Sequence, residues 1–284
     1  MTGREQLETS RPMAARKPRK TRKSDSGAFG LLRLILTFAA VAWVVRSLIF
    51  APFSIPSGSM LPTLRIGDYV LVAKWPYGYS RFSFPFQFPP IEGRLLSNLP
   101  ERGDVVVFRP PGAEGQDFVK RVIGLPGDTI EVRGGVPVLN GEALQRKPLA
   151  PAQLPISPNS PCRIAPGASP PPSQGSSTCA YPAFSESLPG GRSYTVLDQL
   201  SGGPADDFAP VRVPEGHLFL MGDNRDDSLD SRFAPIEGGV GFVPLPNIVG
   251  RSTVIFWSTD GSASYFLPWT WFSALRGSRV GTSF

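Results

Sequence analysis

Histidine and cysteine are almost missing from this chain: its 284 residues include one histidine, His217, and two cysteines, Cys162 and Cys179. A zinc centre draws three or four ligands of these kinds at close spacing, so none is expected, nor any other metal or cofactor. Helix-length periodic stretches are also scarce outside residues 28 to 50. Glycine (30) and proline (32) are abundant instead, and short Val/Ile/Phe runs recur between turn signals, which favours a mainly β body. Nor does the chain carry a bulk charge excess. The net charge is +6, from 29 Lys and Arg against 23 Asp and Glu. Eight of those basic and three of those acidic side chains lie in residues 1–26, which leaves 21 against 20 for the remainder. A body so balanced has little to neutralise a phosphate backbone, and no nucleic-acid partner is expected.

What the chain does have is a basic run followed at once by an apolar one. Arg4, Arg11, Arg16, Lys17, Arg19, Lys20, Arg22 and Lys23 precede Phe29 to Phe50, a stretch whose length as a helix, about 33 Å, suits a bilayer. Arg33 and Arg46 interrupt it near its two ends, where long stems can reach the headgroups. A cleaved secretory signal would need small residues after the apolar centre, where Arg46, Phe50 and Phe53 stand. An uncleaved anchor spanning 28–50 is expected, with the basic tail 1–27 in the cytoplasm and everything after Phe50 outside. Cys162 and Cys179 then face an oxidising compartment and are expected to close one loop as a disulfide; two reduced thiols are the alternative that spacing leaves open.

Beyond the anchor, strands are expected at Ile66 to Lys74, Asp104 to Arg109 and Phe118 to Ile123. A hairpin pairs Thr129 to Arg133 with Val136 to Leu139 across Gly134-Gly135. Residues 148 to 190 hold eleven prolines and read as a long external loop without a ladder. Strand character returns at His217 to Met221 and Val249 to Trp257. The resulting architecture is an antiparallel β body over 51–128 and 213–284, with a smaller β lobe over 129–212 inserted in it. Two aromatic stretches, Phe82 to Pro89 and Tyr265 to Phe272, are either local core or an apolar surface resting on lipid.

Three segments carry chemistry. Ser57-Gly58-Ser59-Met60-Leu61-Pro62, seven residues past the anchor, is on its own a turn. Lys120 shares a strand face with Phe118 and Val122 by period-2 alternation, an apolar setting that can lower an amine toward the neutral form a base needs. A lysine that blunts a sheet edge is the plainer reading. Met221 to Arg232 crowds four carboxylates, donors and hydroxyls behind an apolar strand, costly to bury unless mutually bonded. His217 invites a Ser-His-Asp assignment, but it stands at a strand entry and is expected to be structural.

Ser57-Gly-Ser-Met-Leu-Pro-Thr, Gly67-Asp-Tyr-Val, Arg102-Gly-Asp-Val, Lys120-Arg-Val-Ile-Gly-Leu-Pro-Gly-Asp and Gly222-Asp-Asn-Arg-Asp-x-Ser-x-Asp-Ser-Arg, in that order, resemble the type I signal peptidases over about residues 30 to 257. The resemblance implies Ser59 as nucleophile, Lys120 as general base, and the Ser59 N–H with the Ser57 hydroxyl as oxyanion hole. It also implies that Ser228 orients the Lys120 amine and that Asp230 and Arg232 form a supporting pair, with Arg121 beside them. Phe53, Ile55, Pro56, Met60, Leu64, Phe118 and Val119 would line shallow pockets for small substrate side chains. Asp227 stands where the family usually has asparagine. The implied activity is removal of signal peptides from exported preproteins at the outer face of a bacterial inner membrane, through an acyl-enzyme. The rivals are a specialised peptidase serving few substrates and a membrane-anchored β-rich binding module.

Overall fold

The computed structural model describes residues 26–112, 115–165, 168, 176–264 and 266–284. The basic tail as far as residue 25, parts of the proline-rich segment and Tyr265 lie outside them.

Two compact units divide the chain, at Val41. The first contains most of helix α1, Ser26–Val44. From Phe29 onward its side chains are exposed and, Arg33 and Thr37 aside, apolar or glycine, and the 21-residue stretch Phe29–Ile49 is long and apolar enough to cross a bilayer. A π-helical turn, Val45–Ile49, carries the chain from α1 into the second unit's first strand.

That unit is mainly β and antiparallel. Its strands are β1 (Phe50–Ser54), β2 (Asp68–Ala73), β3 (Val105–Phe108), β4 (Phe118–Gly124), β5 (Thr129–Arg133), β6 (Val136–Leu139), β7 (Glu142–Ala143) and β8 (Gln145–Pro148). There follow β9 (Ala152–Pro155), β10 (Thr178–Tyr181), β11 (Ala183–Ser187), β12 (Ser193–Leu197), β13 (Phe208–Arg212), β14 (His217–Met221), β15 (Val243–Pro244) and β16 (Ile248–Ser258). The principal sheet has seven strands in the order β1-β2-β16-β3-β4-β14-β15. Every strand from β5 to β13 lies between residues 129 and 212, in sheets of order β13-β5-β6-β7, β12-β11-β8 and β10-β9.

Alternation explains how the principal sheet is covered. On β3, Val105 and Val107 join Ile55, Met60, Leu64, Val70 and Val249 in one core, while Val106 and Phe108 join Val122, Leu218 and Leu220 in another on the opposite face. A strand buried on both faces reads as a continuous apolar run, as Val105-Val-Val-Phe does. On β4, neighbouring Lys120 and Arg121 therefore point to opposite sides.

One expectation fails here. The proline-rich stretch does form ladders: β9 pairs with β10, and β11 pairs with both β12 and β8. Its prolines stand where no ladder donor is needed: Pro148 and Pro155 end strands and Pro182 lies between β10 and β11. The aromatic stretches divide. Phe82 packs partly against the core around Val70, whereas Phe86 is 98% exposed and Phe266 93%, with Trp269 and Phe272 also in solvent.

Candidate active site

The first part of the site is the turn after β1. Across the base of this turn the Ile55 N–H donates to the Asp68 carbonyl and the Gly67 N–H to the Ile55 carbonyl, and Met60 and Leu64 sink into the core below it. Residues 57–59 are thereby held up at the surface of a cleft. A second tie comes from beyond β14: the Asn224 backbone N–H donates to the Ser59 carbonyl at 3.0 Å and its side-chain amide to the Gly58 carbonyl at 3.1 Å.

Lys120 comes from β4, which lies between β3 and β14 inside the sheet, so the edge-blunting reading does not apply. Its side chain is 4% exposed. The Nζ lies 2.5 Å from Ser59 Oγ, the one hydrogen bond the amine makes among the described residues. Burial pulls the amine down from 10.5 to about 8; Asp230, Asp223 and Asp227 hold it up against that pull, and Arg232 adds to the lowering. At neutral pH roughly one such lysine in ten is unprotonated, against about one in 2,500 for a free side chain. Ser57 Oγ lies 3.5 Å from Ser59 Oγ. The Ser59 backbone N–H donates to no group among the described residues.

The third part follows β14. Ser228 donates to Asp230 Oδ2 at 2.8 Å rather than bonding directly to the Lys120 amine. Arg232 closes on Asp230 through Nε at 2.9 Å. Burial pushes the Asp230 carboxyl up, but the Arg232 charge and hydrogen bond, the Gly222 N–H and Lys120 outweigh it and hold the group ionised below the usual carboxylate range. Arg121, on the far face of β4, grips Asp223 through Nε (2.8 Å) and Nη2 (2.6 Å) and lies over the Tyr194 ring. It braces the loop from behind and does not reach the cleft.

The cleft has a volume of about 860 Å³. Phe53, Ile55, Pro56, Met60, Phe118 and Val119 line it together with Ser57, Ser59, Lys120 and Ser228. Leu64, expected in the same lining, is 0% exposed and packs beneath with Val70 and Ile255; the turn carries it inward by one step past the wall. Sequence reasoning passed over Asn224, whose two bonds fix the serine turn, and Arg163, which lines the cleft from the disulfide segment. Asn224 was signalled by its place in the polar run; Arg163 had no signal beyond its neighbour Cys162. The two cysteines are bonded, with Cα atoms 5.5 Å apart. His217 stands at the other end of β14, opposite Pro244, and bonds the Glu215 carbonyl. Among the described residues one carboxylate group could hold a metal, Asp198, Asp206 and Asp226; Asp206 and Asp226 already accept backbone N–H groups, and Asp198 accepts from Arg146.

A serine hydroxyl lies in contact with a buried amine whose protonated form is disfavoured, at the floor of an apolar cleft, a combination suited to hydrolases. The chain belongs to the signal peptidase family, peptidase S26, which matches residues 28–257. It is similar to signal peptidase I of Rickettsia typhi, 34% identical over 248 residues that cover 84% of this chain and 83% of the relative. Signal peptidase I of Rickettsia canadensis is 37% identical over 227 residues, 77% of this chain and 76% of its own. A solved signal peptidase I from Enterococcus faecalis V583 aligns with 55% of this chain and 98% of its own at 27% identity, with a TM-score of 0.29.

Proposed function

We propose that this peptidase is a membrane-anchored endopeptidase that removes signal peptides from exported preproteins, with Ser59 as nucleophile and Lys120 as general base. The observation that carries the reading is the 2.5 Å contact between Lys120 Nζ and Ser59 Oγ, made by an amine whose burial favours its neutral form. The neutral amine takes the hydroxyl proton as Oγ bonds to the scissile carbonyl carbon. The Ser59 N–H and the Ser57 hydroxyl receive the oxyanion, an interaction worth about 3 kcal/mol per donor in comparable sites. The lysine ammonium then protonates the departing amine, leaving an ester on Ser59. Water attacks that ester, gives its proton to Lys120, and the serine is regenerated. Asp230 and Arg232 hold Ser228 and the surrounding charges in place.

Two further features suit this substrate. The outer edge of β1 is unpaired among the described residues, so an extended peptide can add to it beside Phe53 and Ile55. The cleft walls of Ile55, Met60 and Val119 suit small side chains before the cut. Residues 51–128 with 213–284 form the catalytic body in this reading, and 129–212 an inserted lobe. Residues 28–50 anchor it, the basic tail stays cytoplasmic by the positive-inside bias, and the exposed Phe86, Phe266 and Trp269 rest on lipid. Ser59 follows Phe50 by nine residues, which keeps the nucleophile near the bilayer, where a signal peptide delivers its cleavage site.

The test is cleavage of a preprotein in detergent by the wild type, Ser59→Ala, Lys120→Ala and His217→Ala, each shown to be folded. Inactivity of the first two variants with His217→Ala active is expected. Cleavage by Lys120→Ala together with an inactive His217→Ala would overturn the assignment of the base.

A further inference from the structure

Each acidic side chain around the Lys120 amine has a partner, and most of these partners are cations. Asp230 has Arg232, and Asp223 has Arg121. Arg225, at the cleft wall, is matched by Glu186 from β11, and Asp226 accepts the N–H groups of Gln199 and Leu200. Asp227 is the remaining one. It ends the turn Arg225–Asp227, directly before Ser228, and its carboxylate lies against the serine turn: a Cβ added to Gly58 would stand 3.3 Å from Asp227 Oδ2.

Its cation is Arg163, which comes from the segment between β9 and β10 rather than from the polar run. The guanidinium takes both carboxylate oxygens, Nη2 to Oδ1 and Nε to Oδ2, each at 2.8 Å. The Arg163 side chain is half exposed, so this two-pronged contact fixes geometry more than it adds stability. The backbone of Arg163 is fixed at two points on one strand, β10. The preceding residue, Cys162, is bonded to Cys179, and the Arg163 N–H donates to the Tyr181 hydroxyl at 2.9 Å. Arg163 is thus offered to the cleft from a fixed height. Its Cδ stands 3.6 Å from the position of a Gly58 Cβ, so the pair as a whole abuts the turn that carries Ser59.

We propose that Arg163 is a positioning residue for the peptidase reaction: by clamping Asp227 and offsetting part of its charge it lets an acidic side chain stand beside the serine turn and the Lys120 amine. The proposal rests on the Ser59 and Lys120 reading. The electrostatics give it a sign. Asp227 is among the charges that hold the Lys120 amine up. Without Arg163 that charge is uncompensated and the amine keeps its proton to higher pH. Without Asp227 the lone guanidinium does the reverse. With neither, the two effects cancel.

The experiment is the pH profile of kcat/KM for cleavage of one preprotein by the full chain in detergent. Arg163→Gln should move the acid limb up by about half a pH unit, a loss of roughly threefold on that limb, as expected for one charge acting across a partly solvated cleft. Asp227→Asn should move the limb down, and the double variant should return to the wild-type position. Arg163→Lys should recover most of the shift. A purely structural role would lower the rate at all pH values with the limb in place. An unmoved limb in Arg163→Gln, single shifts of the same sign, or a double variant that behaves as Arg163→Gln would each overturn the proposal. Ser59→Ala, measured beside these, separates the two levels. If it still cleaves, the dyad reading falls and this role with it; if it is inactive and the limb does not move, only the role of Arg163 falls.

Discussion

Replacing Lys120 with methionine should abolish cleavage and make the protein more stable. The buried amine titrates near 8 rather than 10.5, a difference worth about 3 kcal/mol. The folded state bears that cost whenever the amine is protonated. Methionine fills similar space with no charge, at the loss of the hydrogen bond to Ser59, worth about 1 kcal/mol. The net gain at pH 7 is about 2 kcal/mol, or about 4–8 °C in Tm for a chain of this size. The pH dependence follows from linkage. A group whose folded value is depressed adds stability that is present above its unfolded value and is lost as pH falls through the folded one, so wild-type stability rises between about 8 and 10.5. The advantage of methionine is therefore largest at pH 7 and shrinks across that window. Thermal unfolding of both proteins in the same detergent, at pH 7 and at about pH 10, measures it. A methionine variant less stable at pH 7, or a gain equal at both pH values, would refute the reasoning.

Gly222→Ala should lower kcat by about a hundredfold, because its Cβ would stand 2.2 Å from Ser228 Oγ and 2.6 Å from the Ser59 carbonyl oxygen; single-turnover kinetics on a folded variant would show it. Arg232→Gln leaves a fully buried Asp230 without its partner and should cost about 3–5 kcal/mol, read from urea unfolding. Leu64→Ala should cost about 2–5 kcal/mol with KM unchanged, since Leu64 is core and not wall, whereas Val119→Phe should raise KM for the same preprotein by narrowing the cleft.

The parts of this molecule that were legible in the sequence are those fixed by local pattern. The hairpin of β5 and β6 follows from Gly134-Gly135 between two alternating runs, and its observed bounds are the expected ones. β14 likewise matches its expected residues. The serine turn, Lys120 and the polar run were recognisable by residue type and order, yet nothing local fixes the distance between residues 59 and 120; that needs the sheet. The strands at 152–155, 178–181 and 183–187 escaped because a proline count does not say where in a ladder each proline falls. Leu64 was misplaced because a turn decides which apolar neighbour faces the cleft and which the core. Arg163 escaped because its ion pair spans 64 positions, and only the fold of the intervening segment brings it to Asp227.

The order of strands in the principal sheet makes a late segment of the chain the seam of the site. β1 and β2, which precede and follow the Ser59 turn, belong to one half of the sheet, and β3, β4 and β14 to the other. The strand that joins them is β16, at residues 248–258, paired with β2 on one side and β3 on the other. Among the described residues the two halves, apart from β16, share no ladder and meet through side-chain contacts and the Asn224 bonds to Gly58 and Ser59. The backbone continuity between the serine half and the lysine half of the sheet thus rests on one late strand.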